Sequence, residues 1–262
     1  MDSDRTTIRE FIAQIEKLRR WCESQTHHCY CSQCTSNAIK SHVFQKKLIL
    51  KPISNSSNKV YVFNYPHLFD CFFFKGFFPI HDNNIFSRIE PKDGIVDWSS
   101  NLSQYLLAYR TLCRELYQME ITITCLHAFL SFIREAEFDY VMKFSSMFSS
   151  LKYNYKNLLK YKSFVEKGVL QHRYENFMFR YHELPYQLDL CVALTISGTN
   201  PRGLNYNTDY QEVNIVNIFS YKGRTIISLG YSPLKEFSNY WLNKIDNLIA
   251  SRIPENLDIA LT

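Results

Sequence analysis

The chain has few glycines and lacks any long apolar run, and both shortages narrow what it can be. Only 7 of its 262 residues are glycine, whereas 20 are Phe and 18 are Tyr, so we expect a core and interfaces built largely from aromatic rings. No apolar stretch approaches the roughly 18 residues that span a bilayer, which predicts that the chain has no membrane partner. The length suits one large domain or two modest ones, and 46% hydrophobic with 21% charged residues is typical of a folded globular protein.

Several catalytic signatures are missing as well. The sequence contains no glycine-rich phosphate loop, no G-x-S-x-G elbow and no H-E-x-x-H, which argues against NTPase, hydrolase and zincin functions. The first residues, MDSDRTTIRE, are polar and mixed in charge, unlike a signal peptide, so we expect a cytoplasmic protein. In that reducing compartment the 8 cysteines are expected to be thiols or metal ligands rather than disulfides. The net charge of +5 is compatible with a nucleic-acid partner but does not identify one.

Cysteines concentrate in one stretch near the N-terminus. Cys31 and Cys34 have the C-x2-C spacing of a zinc knuckle, and Cys29 and Cys34 have C-x4-C spacing. Structural zinc needs four thiolate or imidazole ligands in a tetrahedron, and no second C-x2-C is present to complete it. The candidates for the remaining ligands are His27, His28, Cys71 and His81. The sequence therefore predicts either a zinc site or a degenerate site whose thiols are buried as small apolar groups.

The elements around these cysteines are predicted in the order of a treble-clef finger. Thr7 to Glu10 fit a capping box, which predicts a first helix from about Thr7 to Glu23. Two short strands are predicted at 47–50 and 60–63, joined by the polar turn 54–58. Gly76 then begins a segment predicted to become helical through His81, Ile85 and Phe86. Knuckle, hairpin and short helix in this order form the layout of a treble-clef zinc finger and of ββα-metal nucleases.

Helical periodicity dominates the middle of the chain. Residues 91–94 read as a linker, after which either Ser99 or Ser100 is placed to cap a helix. The apolar residues that repeat at helical spacing behind this cap are Leu102, Tyr105, Leu106, Tyr109, Leu112 and Leu116. A further helical pattern from about 125 to 181 predicts two or three long helices packed as a hairpin or small bundle.

The last third of the chain changes to the period of a β-strand. Strands are predicted at 190–196, 213–219 and 225–229, and a final helix at about 234–251. The predicted fold class is therefore α+β, with an N-terminal treble-clef finger of the ββα layout, a central long-helix bundle, and a small antiparallel sheet with a helix. The three predicted segments are 1–95, 96–184 and 185–262, of which the last two are expected to pack as one unit.

The finger segment also carries a resemblance to a known group of proteins. The run C-x4-C-x3-AIKSH, followed by KGF-x3-HDNNIF-x2-IE, resembles bacterial proteins of poorly defined function that show C…C…AI-x-SH and then GFC-x2-HD-x2-LF-x2-IE. The likeness continues through LLAYR at 106–110 and ELY at 115–117, and reaches PENL at 254–257. It implies a diverged HNH finger and a role in defence against phage.

The resemblance assigns roles to particular residues. His42 corresponds to the histidine of the SH pair, which a nuclease would use as general base. Asp82 and Asn83 would then hold magnesium or manganese to stabilise phosphate charge, because hard oxygen ligands suit these ions. The zinc ligands that match the group's pattern are Cys29, Cys34 and His81, and Cys31 is a candidate for the fourth position, with His28 and Cys71 as its alternatives. The cysteine that the group shows before His81 is replaced here by Phe78, so a fourth ligand must come from elsewhere.

Charged residues outside the finger suggest a further surface. Lys152, Lys156 and Lys160 recur four residues apart with tyrosines between them, and Lys46 and Lys47 follow His42. These lysines are candidates to contact nucleic acid, and the alternative for the three later ones is a solvated helix face with tyrosines packed inward. A second feature, Arg110 with Glu115 in an apolar helix, predicts a buried or half-buried polar network.

Two functions are therefore in competition. The first is an HNH-like, metal-dependent nuclease or a nuclease-derived effector that acts on nucleic acid. The second is a non-enzymatic, zinc-finger-containing binding or adaptor subunit that recognises nucleic acid or a protein partner in a multi-component system, with His42 as a strand-end residue that hydrogen-bonds locally.

Overall fold

The predicted α+β class is confirmed by a computed structural model, which describes residues 2–54, 73–91, 94–132, 138–175, 177–198, 212–232, 242–243 and 246–247. These residues form a pair of long helices, a two-stranded sheet in the finger and a four-stranded antiparallel sheet. The elements are α1 (Asp2–Ser24), β1 (Ile39–His42), β2 (Phe73–Phe77), α2 (Pro79–Phe86), α3 (Asn101–Phe132), α4 (Phe138–Gln171), β3 (Met178–Leu184), β4 (Cys191–Gly198), β5 (Glu212–Tyr221) and β6 (Arg224–Tyr231).

Helix α3 is the centre of the molecule. The hydroxyl oxygen of Ser100 accepts the backbone N–H of Ser103 at 3.3 Å, which confirms the predicted serine cap. All residues from 103 to 113 are buried, because α4 covers one side of the helix while the finger and the large sheet cover the others. Such all-round burial is what an apolar helix requires in the middle of a core.

The large sheet contains the three predicted strands and one that the sequence did not reveal. Its order is β3-β6-β5-β4, and every neighbouring pair is antiparallel. The prediction of helix as far as residue 181 is wrong, because α4 ends at Gln171 and β3 follows. The reason lies at His172, whose φ of 56° is left-handed and so ends a helix.

The finger differs from its prediction in where the elements begin. Helix α1 starts at Asp2, so Thr7 lies within the helix and is not its cap. The predicted strand at 47–50 is wrong, since a π-helical turn Lys46–Leu50 and a 3-10 turn Lys51–Ile53 occupy this part. Strand β1 instead pairs with β2, and this pairing leaves Ile49 and Leu50 to fill the core from a turn.

The helical part of the finger is largely as predicted. Helix α2 runs through His81 and Phe86, but it begins at Pro79, and Gly76 lies in β2. Proline suits the first helical position, because its φ is already helical and its missing N–H would have no partner there. The predicted strand at 60–63 lies outside the described residues, as does most of the predicted last helix, of which 242–243 and 246–247 are helical.

A single buried cluster joins the finger, the helices and the sheet. Phe44 of the finger contacts Phe219 of β5 with ring centroids 5.4 Å apart, and Trp98 packs on the same ring at 4.9 Å. The sulfur atoms of Cys22 on α1 and Cys125 on α3 are 3.9 Å apart. Across the part of the chain that is described, no helix combines the length and apolar character needed to cross a membrane.

Gly168 provides a test of how closely α3 and α4 pack. A Cβ at Gly168 would collide with the ring of Tyr105, which cannot move aside because its hydroxyl donates to the carbonyl oxygen of Phe177 at 2.6 Å. Glycine to alanine within a helix usually stabilises by about 1 kcal/mol. Here we expect Gly168→Ala to lower the free energy of unfolding by about 1 to 3 kcal/mol, as overpacking does.

The measurement for Gly168→Ala is the urea midpoint followed by circular dichroism. Ser149→Ala, at an exposed position of α4, is the matched control and should change stability little. A Gly168→Ala protein as stable as the wild type would contradict this packing.

Candidate metal centre

Three side chains of the finger bring metal-ligating atoms together. The sulfur atoms of Cys29 and Cys34 and a ring nitrogen of His81 all lie within 4.8 Å of one another. Cys29 Sγ and His81 Nδ1 are 3.4 Å apart. Two thiols and an imidazole are soft to borderline ligands, which is the donor set that zinc prefers.

Backbone hydrogen bonds place these ligands. The N–H of Cys34 donates to the carbonyl oxygen of Cys31 at 3.2 Å, and the N–H of Cys29 donates to that of Ser36 at 3.0 Å, so the cysteine turn closes on itself. The N–H of Tyr30 donates to the carbonyl oxygen of Gly76 at 2.8 Å, which ties the turn to β2. Because α2 begins at Pro79, directly after β2, His81 lies in its first turn beside the cysteines.

The surroundings of the two thiols favour thiolate formation unequally. Burial raises the pKa of Cys29, and backbone N–H groups of Phe78 and Cys31 oppose this rise. The backbone N–H of Ser36 lowers the pKa of Cys34, which is partly exposed. Cys34 is thus the first of the pair to ionise. N–H groups directed at sulfur also stabilise a thiolate bound to metal, so the residues present fit a zinc ion.

The remaining ligand candidates lie elsewhere. Cys31 is outside the group of three, and burial raises the pKa of its thiol to about 11. His28 Nδ1 and His27 Nε2 instead lie 3.1 Å and 3.3 Å from backbone carbonyl oxygens. Cys71 is outside the described residues. Phe78 caps α2, and its ring packs on that of His81 with centroids 6.0 Å apart. A zinc ion held by these three ligands would fasten the cysteine turn to α2 and take a fourth ligand from outside this group.

A buried guanidinium lies beside the metal ligands. Arg110 is 1% exposed, and its Nη1 donates to the carboxylate of Glu90. Its Nη2 is 3.6 Å from Oδ1 of Asp82, the residue after His81. The guanidinium carbon stacks over the ring of Phe86 at 4.0 Å from the centroid. Two carboxylates and a ring face therefore compensate a charge that would otherwise be costly to bury.

His42 borders the same cluster but remains without a hydrogen-bond partner at one nitrogen. It is the last residue of β1, it is half-buried, and its ring lies 3.8 Å from that of Phe73. Its Nε2 is buried and accepts no hydrogen bond. Burial, with Arg110 nearby, lowers the pKa of His42 to about 4. The ring is therefore neutral at pH 7.

The arrangement bears directly on the predicted catalytic residues. His42 and Asp82 share Arg110 as a charged neighbour, while Asn83 is exposed on α2. In a metal-dependent nuclease the carboxylate holds a divalent cation that contacts the phosphate. Here the cation against Asp82 is a guanidinium, which can donate hydrogen bonds but cannot ligate or activate water. Within the described residues, the Cys29 group is the one cluster of three candidate metal ligands.

A second buried charge network holds the cysteine turn from the other side. Glu166 of α4 accepts the backbone N–H of Ser32 at 2.8 Å and also its hydroxyl. The same carboxylate accepts the hydroxyl of Tyr109 at 2.7 Å and the ammonium of Lys162 at 3.0 Å. These contacts connect the tip of the turn to both long helices. They would be costly to break, because Glu166 is only 5% exposed.

The predicted lysines lie on the surface rather than at this centre. Lys152, Lys156 and Lys160 are exposed on α4, as are Lys46 and Lys47 beside the finger. The tyrosines between the α4 lysines divide, since Tyr153 is 43% exposed and Tyr161 is buried. Tyr155 is half-buried and donates to Glu120 at 2.6 Å. The predicted polar network is present at Arg110, but Glu115 pairs with Arg114 at 2.6 Å.

Sequence reasoning missed two acids, Glu90 and Glu166, that pair with buried basic side chains next to the finger. Glu90 is the last letter of the HDNNIF-x2-IE run, so the motif contained it without indicating an ion pair with Arg110. Glu166 follows Lys162 by four residues, a spacing that signals a helical ion pair. That spacing could have directed attention to Lys162 as an inward-facing lysine, but it could not have indicated Ser32.

The metal centre predicts different outcomes for two neighbouring cysteines. We expect wild-type protein to hold one tightly bound zinc ion per chain and Cys34→Ser to lose it, because Cys34 is one of the three ligands. Cys31→Ser is the matched control and should retain the ion, because Cys31 lies outside the group. Metal content by mass spectrometry and melting with and without a chelator measure both effects. Loss of zinc from Cys31→Ser with retention in Cys34→Ser would contradict this ligand set.

The Glu166 network predicts a second effect. Glu166→Gln leaves Lys162 buried without its counter-charge, and we expect a loss of about 3 kcal/mol in the free energy of unfolding. The double variant Lys162→Met with Glu166→Gln removes both charges and should recover part of this loss. Urea unfolding of the wild type and the two variants measures the difference. A double variant no more stable than the single one would show that the pairing is not what stabilises this site.

The same carboxylate predicts a pH dependence. Burial raises the pKa of Glu166, but hydrogen bonds from Ser32 and Tyr109 outweigh it and hold the pKa below the ordinary 4.5. A depressed pKa contributes stability that is complete above pH 4.5 and is lost as the pH falls through the folded value. The stability difference between wild type and Glu166→Gln should therefore shrink in unfolding experiments carried out below pH 4.5. A stability difference between the two proteins that increased as the pH fell would contradict this pKa shift.

Comparison with protein-family models, curated proteins and solved structures finds no match to this chain. The resemblance to the bacterial group with the C…C…AI-x-SH pattern therefore stays a prediction.

Proposed function

We propose that this protein is a non-catalytic binding module, in which an HNH-like finger serves as a zinc-held structural clip and no longer cleaves. The observation that carries the proposal is the buried Arg110 guanidinium, which lies against Asp82 where a nuclease would hold its divalent cation. An acid that neutralises a buried arginine is not available to position a metal-bound phosphate. A role in phage defence, implied by the resemblance, accompanies this proposal as a prediction.

The residues of the finger then have structural tasks. Cys29, Cys34 and His81 hold zinc, whose chemistry here is to cross-link the cysteine turn and α2. Asp82 neutralises Arg110 and fixes the orientation of α2 on the helix pair. Glu166 orders the tip of the turn through Ser32. The contacts of Asp82 and Ser32 join the finger to the long helices, which leaves the outer faces of those helices for a partner.

The nuclease is the second candidate, and two buried atoms without a hydrogen-bond partner favour it, Nε2 of His42 and Oδ1 of Asp82. Nε2 of His42 is buried without a hydrogen-bond partner, as expected for a base that keeps a lone pair for a proton. The pKa of about 4 makes this nitrogen a weak base at neutral pH, because a general base works best with a pKa near the operating pH. His42 packed against Phe73 is explained as well by a role in ordering the end of β1.

A cleavage assay separates the two candidates. Zinc-loaded wild type and His42→Ala are incubated with plasmid DNA and with RNA in magnesium and in manganese. We expect both proteins to leave the substrates intact, since His42 performs no proton transfer in a binding module. Cleavage by the wild type that His42→Ala abolishes, while its zinc content and melting temperature are unchanged, would overturn the proposal.

A further inference from the structure

The outer face of α4 combines lysines with exposed rings along one side. Tyr153, Lys156, Lys160, Phe164 and Lys167 follow one another at intervals of three or four residues, so they lie on one face of the helix. Lys152 is adjacent to Tyr153 at the same end. At 1.5 Å per residue, the row from Lys152 to Lys167 is about 22 Å long. We call these six residues the α4 row.

The charge of the α4 row is of one sign. Lys152, Lys156 and Lys167 are exposed, and the only acid among the α4 side chains that the structure describes is Glu166. Glu166 is buried and faces the cysteine turn, where it pairs with Lys162. Among the α4 side chains that are described, Glu166 and Lys162 therefore face inward, and Lys152, Lys156, Lys160 and Lys167 face outward. A face of this kind is complementary to a polyanion.

The exposed rings indicate which polyanion. Phe164 is 39% exposed and Tyr153 is 43% exposed, so each presents part of its ring to solvent beside the lysines. An unpaired base can stack on such a ring, whereas the bases of a duplex are already stacked and paired. Lysines that follow the backbone and rings that receive bases are the two parts of a single-strand binding surface.

We propose that the α4 row binds single-stranded nucleic acid, with lysines on the phosphates and Phe164 and Tyr153 under bases. This inference rests on the proposed function, since it names the partner of a module that binds without cleaving. The shared chemistry is a phosphodiester strand with unpaired bases, which both DNA and RNA provide. A protein partner is the competing outcome.

The lysines determine how binding should respond to salt. Each phosphate neutralised on a single strand contributes about −0.7 to the slope of log K against log salt concentration. Three lysines therefore contribute about −2, which corresponds to roughly 15-fold weaker binding between 50 and 200 mM salt. Replacing Lys152, Lys156 and Lys167 together by glutamine should weaken binding at low salt and reduce the slope by about 2.

The rings determine a second response. Phe164→Leu keeps an apolar side chain of similar volume and removes the stacking surface. Loss of one base–ring stack corresponds to roughly 5- to 150-fold weaker binding. A partner protein that only needed apolar contact at this position would tolerate leucine, so this variant distinguishes stacking from simple burial.

The test is fluorescence anisotropy of labelled 20-nucleotide dT, 20-nucleotide U and a DNA duplex of equal length, with full-length protein. Lys17, Lys51 and Lys222, all exposed and outside α4, are changed together to glutamine as the charge-matched control. We expect single strands to bind more tightly than the duplex, the α4 triple variant and Phe164→Leu to bind weakly, and the control to keep the wild-type salt slope. The dT and U probes compare a DNA strand with an RNA strand, which differ in the 2′-hydroxyl and in the methyl group of thymine.

Three results would overturn the inference: no binding of either single strand by wild type at 50 mM salt, tighter binding of the duplex, or equal losses in the control and the α4 variant. None of these results would contradict the proposed function, which is tested by the cleavage assay and by the zinc content of the protein. Conversely, a gel that shows the bound probe cleaved in magnesium would remove the non-catalytic proposal. The α4 row would still be supported as the binding surface if the α4 variants lost binding.

Discussion

The structure depends on a charge that the sequence places in the middle of its most apolar helix. Arg110 lies on the buried part of α3, and a guanidinium there is tolerable only if acids and hydrogen-bond acceptors surround it. Asp82 lies within α2 and Glu90 follows the end of that helix by four residues, so pairing with Arg110 fixes where α2 lies. His81 precedes Asp82, and the position of a metal ligand is thereby set by an ion pair. The position of the finger therefore depends on its contacts with α3 rather than on a metal.

A second constraint holds the opposite side of the finger. The cysteine turn exposes backbone N–H groups at its tip, and Glu166 accepts one of them through Ser32. Tyr109, next to Arg110 on α3, donates to the same carboxylate. The two buried networks thus arise from neighbouring residues of one helix and clamp the finger from two directions. This explains how the finger can keep its fold with a group of three candidate metal ligands rather than four.

The sequence was sufficient for the parts of the fold that repeat and for most of the metal ligands. Periodicity identified α3 and three strands of the large sheet, because each has a long, regular apolar pattern. The π-helical turn at Lys46–Leu50 was missed, since four apolar or basic residues in a row suit a strand equally well. Strand β3 was missed because no proline or glycine marks the end of α4, which depends on the backbone conformation of His172. Cys31 could not be separated from Cys29, because both spacings to Cys34 suit zinc and only the folded turn decides between them.

The chemistry was less predictable than the fold for a related reason. His42 and Asp82 have the residue types of a nuclease site, and residue types alone do not reveal what lies between them. Arg110 is 28 residues further along the chain from Asp82, so its arrival there is a result of tertiary packing. The same packing gives α4 two unlike faces. Its inner face is fastened to the cysteine turn by Glu166 and Lys162, and its outer face presents the α4 row. Under the proposed function, a finger held in this way braces α4, and a metal at the Cys29 group would support binding by ordering the cysteine turn rather than by touching the partner.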